Sequence, residues 1–141
     1  MNENMKKLLI DTPYLSLSTV CEDGSPYGTW LRFASDGKYL YFDNVPSSAH
    51  IANIKRDARV FVTILNLSGK DSISGYIKSC AEIITGDEAD KATKLLKERG
   101  ATPDPNNGVV CRVRIGEIDR AKKVKNPERQ FYFVQEGPNE I

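Results

Sequence analysis

The chain has 141 residues, 40% of them hydrophobic, with 20 basic and 19 acidic side chains for a net charge of +1. That is enough for a single domain over residues 1–141 with one core. The balance of charge argues against a nucleic-acid partner held by bulk positive potential, and no apolar run has the length that crosses a bilayer, so no membrane span is expected.

The opening "MNENMKKLLIDTP" contains an apolar run of only three residues, Leu8 to Ile10, too short for the core of a signal peptide, which points to a cytoplasmic protein. Met5, Leu8 and Leu9 are spaced for one face of a short helix that Pro13 ends. "YLSLSTVC" alternates, with Leu15, Leu17, Thr19 and Cys21 on one side, and predicts a strand with one covered face. Asp23-Gly24 supplies the positive-φ residue of a hairpin. The next strand runs from Tyr27 to Ala34, "SDG" at Ser35 to Gly37 turns the chain, and "KYLYFDN" is a third, aromatic strand.

A helix follows in "VPSSAHIANIKRDARV", with Ile51 and Ile54 as its apolar stripe. "RVFVTILNL" is a β-branched strand, Ser68 to Gly75 a loop, and "YIKSCAEIIT" a long strand. "GDEADKATKLLKERG" is the clearest helix: Asp87 is its expected cap, Ala89, Ala92, Leu95 and Leu96 its buried face, and Gly100 its stop. "VVCRVRI" turns Val109, Cys111, Val113 and Ile115 inward, and "EIDRAKKV" and "QFYFVQE" are the last two strands. The reading is mainly β: a small antiparallel barrel of six to eight strands with about three short helices at its periphery.

Cys21, Cys80 and Cys111 are widely separated, without a C-x-x-C, and there is one histidine, His50, so no metal site is expected. Each cysteine lies in a strand-like run, which favours buried free thiols over redox thiols. No G-x-S-x-G, phosphate-loop or dinucleotide motif is present, and no catalytic acid or base stands out. Two readings of Ser47 and Ser48 are open. They cap a helix, or they help its free N–H groups hold an anion, with His50 as a further donor. Trp30 and the aromatics Tyr39, Tyr41, Phe42, Phe131, Tyr132 and Phe133 suit a barrel core or a dimer seam without any ligand.

The ordered set of strand, tight turn, strand, turn, aromatic strand, Ser-Ser, helix and "RDARV" strand, from Tyr14 to about Leu65, resembles the pyridoxamine 5′-phosphate oxidase-like FMN-binding split-barrel family. "YIKSCAEIITGDEADKATKLLKERG" is similar to that family's second half. The resemblance implies FMN as cofactor, a homodimer with flavin at the subunit interface, and a small flavin-dependent oxidoreductase drawing on a small substrate, NADH or NADPH. It implies that Thr29, Trp30 and Leu31 border the flavin ring, and that Phe42, Asp43, Asn44, Ser47, Ser48 and His50 surround its phosphate. One departure stands out: members closest to the oxidase carry an Arg-Lys pair after the serine, where this chain has Ala49-His50. The expectation is therefore not a true pyridoxine-phosphate oxidase, and the alternative is a non-catalytic flavin, haem or deazaflavin carrier.

Overall fold

The computed structural model of the protein describes residues 3–66, 73–104, 108–115, 122–125 and 131–136. Helix α1 spans Glu3–Asp11 and stops before Pro13, with Leu8 and Leu9 buried. Strand β1, Tyr14–Val20, buries Leu15, Leu17 and Thr19 and leaves Ser16, Ser18 and Val20 half-covered on its other face. Its hairpin turns where expected: Gly24 has φ 87°, and its N–H donates to the Cys21 carbonyl at 2.9 Å. Cys21 thus lies in the turn, half-buried, rather than inside the strand.

Strand β2, Pro26–Arg32, returns along β1 in register from Val20↔Pro26 to Tyr14↔Arg32. The sequence predicts one strand through Ala34, but the ladder ends before Phe33. The Phe33 N–H donates instead to the Pro13 carbonyl at 3.2 Å, and its ring enters the core. The chain then forms the two-residue strand β3, Ala34–Ser35, against β4, Tyr39–Asn44.

Helix α2, Ala49–Arg56, precedes β5, Arg59–Asn66, and β6, Ile73–Ile84. The predicted loop to Gly75 is shorter than expected because the ladder with β5 already holds Asn66↔Ile73; residues 67–72 lie outside those described. In helix α3, Gly86–Glu98, the N-cap position is held by Thr85, not Asp87, and the Thr85 side chain makes no capping hydrogen bond. Gly86 takes φ 64° and brings the chain into the helix a residue early, so Asp87 sits in the first turn, still favourable to the positive helix end. Strands β7, Val109–Arg114, β8, Lys122–Lys125, and β9, Phe131–Glu136, complete the chain's order. The 117–121 part of the expected "EIDRAKKV" strand lies outside the described residues, as do the side chains of Phe131, Tyr132 and Phe133.

Seven strands, in the order β2-β1-β5-β6-β7-β4-β3, pair antiparallel and curl into a half-barrel. Strand β6 makes the corner. Its 73–80 half pairs with β5, and Ala81 to Ile84 pair with β7, so one long strand serves both layers. Strand β9 joins the outer side of β6 in parallel, and β8 joins β9. The seven strands of the half-barrel fall within the six to eight expected, the break at Phe33 making two strands of one, and β8 and β9 bring the described strands to nine.

The core lies inside the curl: Leu15, Leu17, Phe33, Leu40, Phe42, Val62, Ile64, Ile77, Cys111 and Val113 are all fully buried. Ile51 and Ile54 of α2 close one side of it, matching the predicted stripe. A second cluster forms where α3 lies on the outer side of β4 and β7, joining Ala92 to Tyr41, Ile84 and Val110. Of the face predicted for α3, Ala92 and Leu96 are buried, and Ala89 and Leu95 pack at its margin.

Candidate functional site

Strand β2 is the first strand of the sheet, paired with β1 on one side. Because side chains alternate across a strand, Thr29 and Leu31 share one face and Trp30 takes the other. Leu31 packs against the core, Thr29 is half-buried, and Trp30 is 65% exposed. Directly opposite Trp30 stands Ser16, and opposite Ser16 stands Thr63. One step along, Gly28 faces Ser18, and Ser18 faces Phe61, which is 41% exposed. The outward face is thus a floor of small residues, Ser16, Ser18 and Gly28, between raised rings at Trp30 and Phe61. Tyr76 meets Phe61 with ring centroids 6.4 Å apart. At the turn end of this face lies a largely apolar cavity of about 560 Å³ lined by Ser18, Val20, Pro26, Phe61, Lys78 and Ser79. A flat aromatic ligand suits such a floor, since stacking and apolar contact need area more than depth.

The mouth of α2 is built differently. Ser48 occupies the cap position, but its hydroxyl makes no cap bond and donates to the Val45 carbonyl at 2.7 Å. Ser47 is exposed. The Ser48 carbonyl accepts the N–H groups of Ile51 at 3.1 Å and Ala52 at 3.3 Å, so the helix opens at Ala49, whose first-turn amides have no partner within the helix. His50 turns inward. It is 6% exposed, its Nε2–H donates to the Asn44 side-chain oxygen, and burial holds its pKa below the usual histidine value. The Asn44 amide donates onward to the Val109 carbonyl at 3.1 Å and leans on the Cys111 thiol. Burial, with the nearby Asp43 charge, pushes that thiol up to about 12, so Cys111 stays protonated and inert.

Strand β4 divides the remaining predicted residues. Phe42 and Asn44 point into the barrel, Phe42 being fully buried. Asp43 points the other way, beneath α3, and its carboxyl pKa is raised by burial and by the Asp104 charge. The structure therefore brings Asn44 and His50 into contact, keeps Phe42 in the core, and sets Asp43 apart. Of the nine predicted residues, Trp30 and Ser47 are exposed.

The cations nearest these elements are committed to other contacts. Arg32 donates to the Arg99 carbonyl and the Tyr14 hydroxyl, each at 3.0 Å. Arg56 donates to the Val20 carbonyl at 2.9 Å and the Asn53 side chain at 2.8 Å. Arg59 is held by Asp57 at 2.7 Å. Residue-by-residue reasoning missed Ser16, Ser18, Phe61, Tyr76 and Lys78. The alternation of "RVFVTILN" marks Phe61 as outward, but only the register places it beside β1. Among the described residues, no group of three or more His, Cys, Asp or Glu could hold a metal ion, and no helix is long and apolar enough to cross a membrane.

The sequence profile of the pyridoxamine 5′-phosphate oxidase family matches residues 1–132. No curated protein matches the chain. Among solved structures, an F420 reductase is 25% identical, with 77% of this chain and 90% of that chain covered and a TM-score of 0.60. A haem-binding protein from Mycobacterium smegmatis is 18% identical, with 82% of this chain and 52% of that chain covered and a TM-score of 0.67. The haem storage protein HutZ from Vibrio cholerae is 12% identical over 80% of this chain and 88% of that chain, with a TM-score of 0.60. These last two are likenesses of fold.

Proposed function

The chain belongs to the pyridoxamine 5′-phosphate oxidase family, and from that premise we propose that it is an FMN-binding flavoprotein acting as a small oxidoreductase, with NADH, NADPH or a small substrate as electron donor. The family match over residues 1–132 carries this reading. The open floor of Ser16, Ser18 and Gly28 beside Trp30 supports it, being wide, flat and bordered by an exposed indole. When bound, the flavin supplies reversible hydride chemistry. The chain's own part is to bind the ring, orient it and exclude water. Trp30, Phe61 and Leu65, at 65%, 41% and 41% exposed, are the apolar surface that a second copy would cover in the homodimer this reading calls for.

The fit to the phosphate is poorer than the fit to the ring. The first turn of α2 reads Ala49-His50-Ile51-Ala52, with no lysine or arginine, and the imidazole is spent on Asn44. Two serines and free amides are the remaining donors, and a phosphate dianion is ordinarily held by charged ones. That observation argues against true pyridoxine-phosphate oxidase activity, and it favours a second reading in which the barrel carries a flavin, a deazaflavin or haem without turnover. Solved structures similar in fold are described as an F420 reductase, a haem-binding protein and a haem storage protein.

An absorption spectrum of the purified protein, alone and after adding FMN, tests both. Oxidised-flavin bands that bleach anaerobically with NADH or NADPH are the expected result. Flavin bands without bleaching, or a Soret band, favour the carrier. A colourless protein whose tryptophan fluorescence ignores added FMN overturns the flavin reading.

A further inference from the structure

The ladder between β1 and β5 is short. It holds only Ser16↔Thr63, Leu17↔Val62 and Ser18↔Phe61, although β1 runs on to Val20 and β5 begins at Arg59. Beyond Ser18 and Phe61 the two strands no longer pair. Thr19, Val20, Arg59 and Val60 from these parted ends line the cavity of about 560 Å³ at the turn end of the outward face, with Pro26 of the hairpin and Lys78 of β6. The register sets Phe61 between Ser18 and Lys78 in one row across three strands, so the three side chains rise on the same face.

Most of the lining is apolar, through Val20, Pro26, Val60 and Phe61, and none of the described lining residues is acidic. Its two cations differ. Arg59 is already held by Asp57, Nη2 to Oδ2 at 2.7 Å, whereas Lys78 is exposed and enters none of the described ion pairs or side-chain hydrogen bonds. Of the hydroxyls, Thr19 accepts from the Asn53 amide at 3.0 Å and Ser79 donates to the Arg114 carbonyl at 2.8 Å. The cavity thus offers apolar walls with one uncommitted ammonium at its edge and no carboxylate to answer it. That pattern suits an apolar molecule carrying a single negative group.

We propose that this cavity binds a small apolar monocarboxylate, its carboxylate at the Lys78 ammonium and its hydrocarbon body along Phe61, Val20 and Pro26. The parting of β1 from β5 gives the body its room, and the volume falls in the range of small-molecule sites. As a binding site it stands without the flavin; as the seat of the small substrate beside the flavin floor it rests on that reading.

The protein as isolated, with its absorption spectrum recorded, is titrated with butyrate, hexanoate and phenylpropionate and followed by amide NMR, with hexanol and hexylamine as controls. Saturable shifts are expected at Ser18, Gly24, Phe61 and Ser79, with hexanoate tighter than butyrate by up to about fourfold per added methylene. Hexanol and hexylamine should each bind about threefold more weakly than hexanoate or worse. Lys78→Gln should weaken hexanoate by a similar factor, whereas Lys6→Gln, at an exposed lysine of α1, should leave it unchanged. No saturable shift at these residues with any carboxylate at about 20 mM, beyond the range of weak millimolar binding, overturns the proposal. So does a control that binds as tightly as hexanoate, or a folded Lys78→Gln protein that binds as tightly as the parent. The comparison of hexanoate with its controls needs no variant to fold. The spectrum scores the flavin reading separately: carboxylate binding to a protein that takes up no flavin keeps the site and removes only its substrate role, and flavin bands without carboxylate binding overturn the site alone.

Discussion

The two sides of the barrel are built from the same alternating strands, yet only one of them is covered. Over β4 and β7 lies α3, and there Tyr41, Ile84 and Val110 join Ala92 in a second small core. Among the described residues, no helix lies over the outward face of β2, β1 and β5, and Trp30 and Phe61 are exposed there beside serines and a glycine. A covered sheet face has already taken its burial free energy from its own chain, whereas an open one that still carries large aromatics keeps that gain for a ligand or a second copy. Function is therefore expected on the open face and stability on the covered and inner ones.

The contrast breaks most readily through paired substitutions. Phe42→Ala removes a fully buried ring from the inner face and should destabilise by about 3–5 kcal/mol, whereas Trp30→Ala on the open face should stay within about 0.5 kcal/mol in the monomer. Denaturant titration of both decides it, and equal losses would mean that Trp30 is already covered. A smaller effect is expected from Gly108→Ala. Its methyl would meet both Asp43 Oδ1, at 2.5 Å, and the Asp104 carbonyl, at 2.7 Å, so overpacking of about 1–3 kcal/mol should appear in the same assay, with a displaced Asp43.

The smallest effect is a slope with pH. The folded-state pKa of His50 is lowered by burial, so the unfolded chain takes up its proton first. Stability should hold above the usual value of 6.5 and fall as pH drops below it, and His50→Gln should flatten that fall in thermal melts. Asp43 works with the opposite sign. Its raised carboxyl pKa favours the fold at acid pH, and that contribution is lost as pH climbs from 3.8 through the folded value. A melt series in which His50→Gln leaves the acid limb unchanged would show that the imidazole is already charged in the fold.

The candidate site was only partly legible in the residues. The strand holding Trp30 and the helix behind Ser47 and Ser48 could be placed. What each side chain faces could not, because β4 has large or polar residues on both faces and both faces are covered. In such a strand, "YFDN" does not say whether Phe42 or Asp43 looks into the barrel. His50 reads equally well as a donor to an anion or to a neighbour, and only the arrival of Asn44 from β4 decides it.

The local pieces are written in the residues: the alternation of β1, β5 and β7, the hairpin at Gly24 with φ 87°, the turn at Gly37 with φ 88°, and the length and apolar stripe of α3 with its stop at Gly100. These follow from contacts within a few residues, where side-chain period and backbone freedom are enough. Long-range packing is what makes β6 serve both layers, sets β9 parallel beside it, lays α3 over β4 while β2 stays open, and brings Arg32 and Asp43 to one cavity. Those outcomes join segments far apart in the chain, and the free energy that selects them is burial summed over the whole barrel, which no short stretch carries.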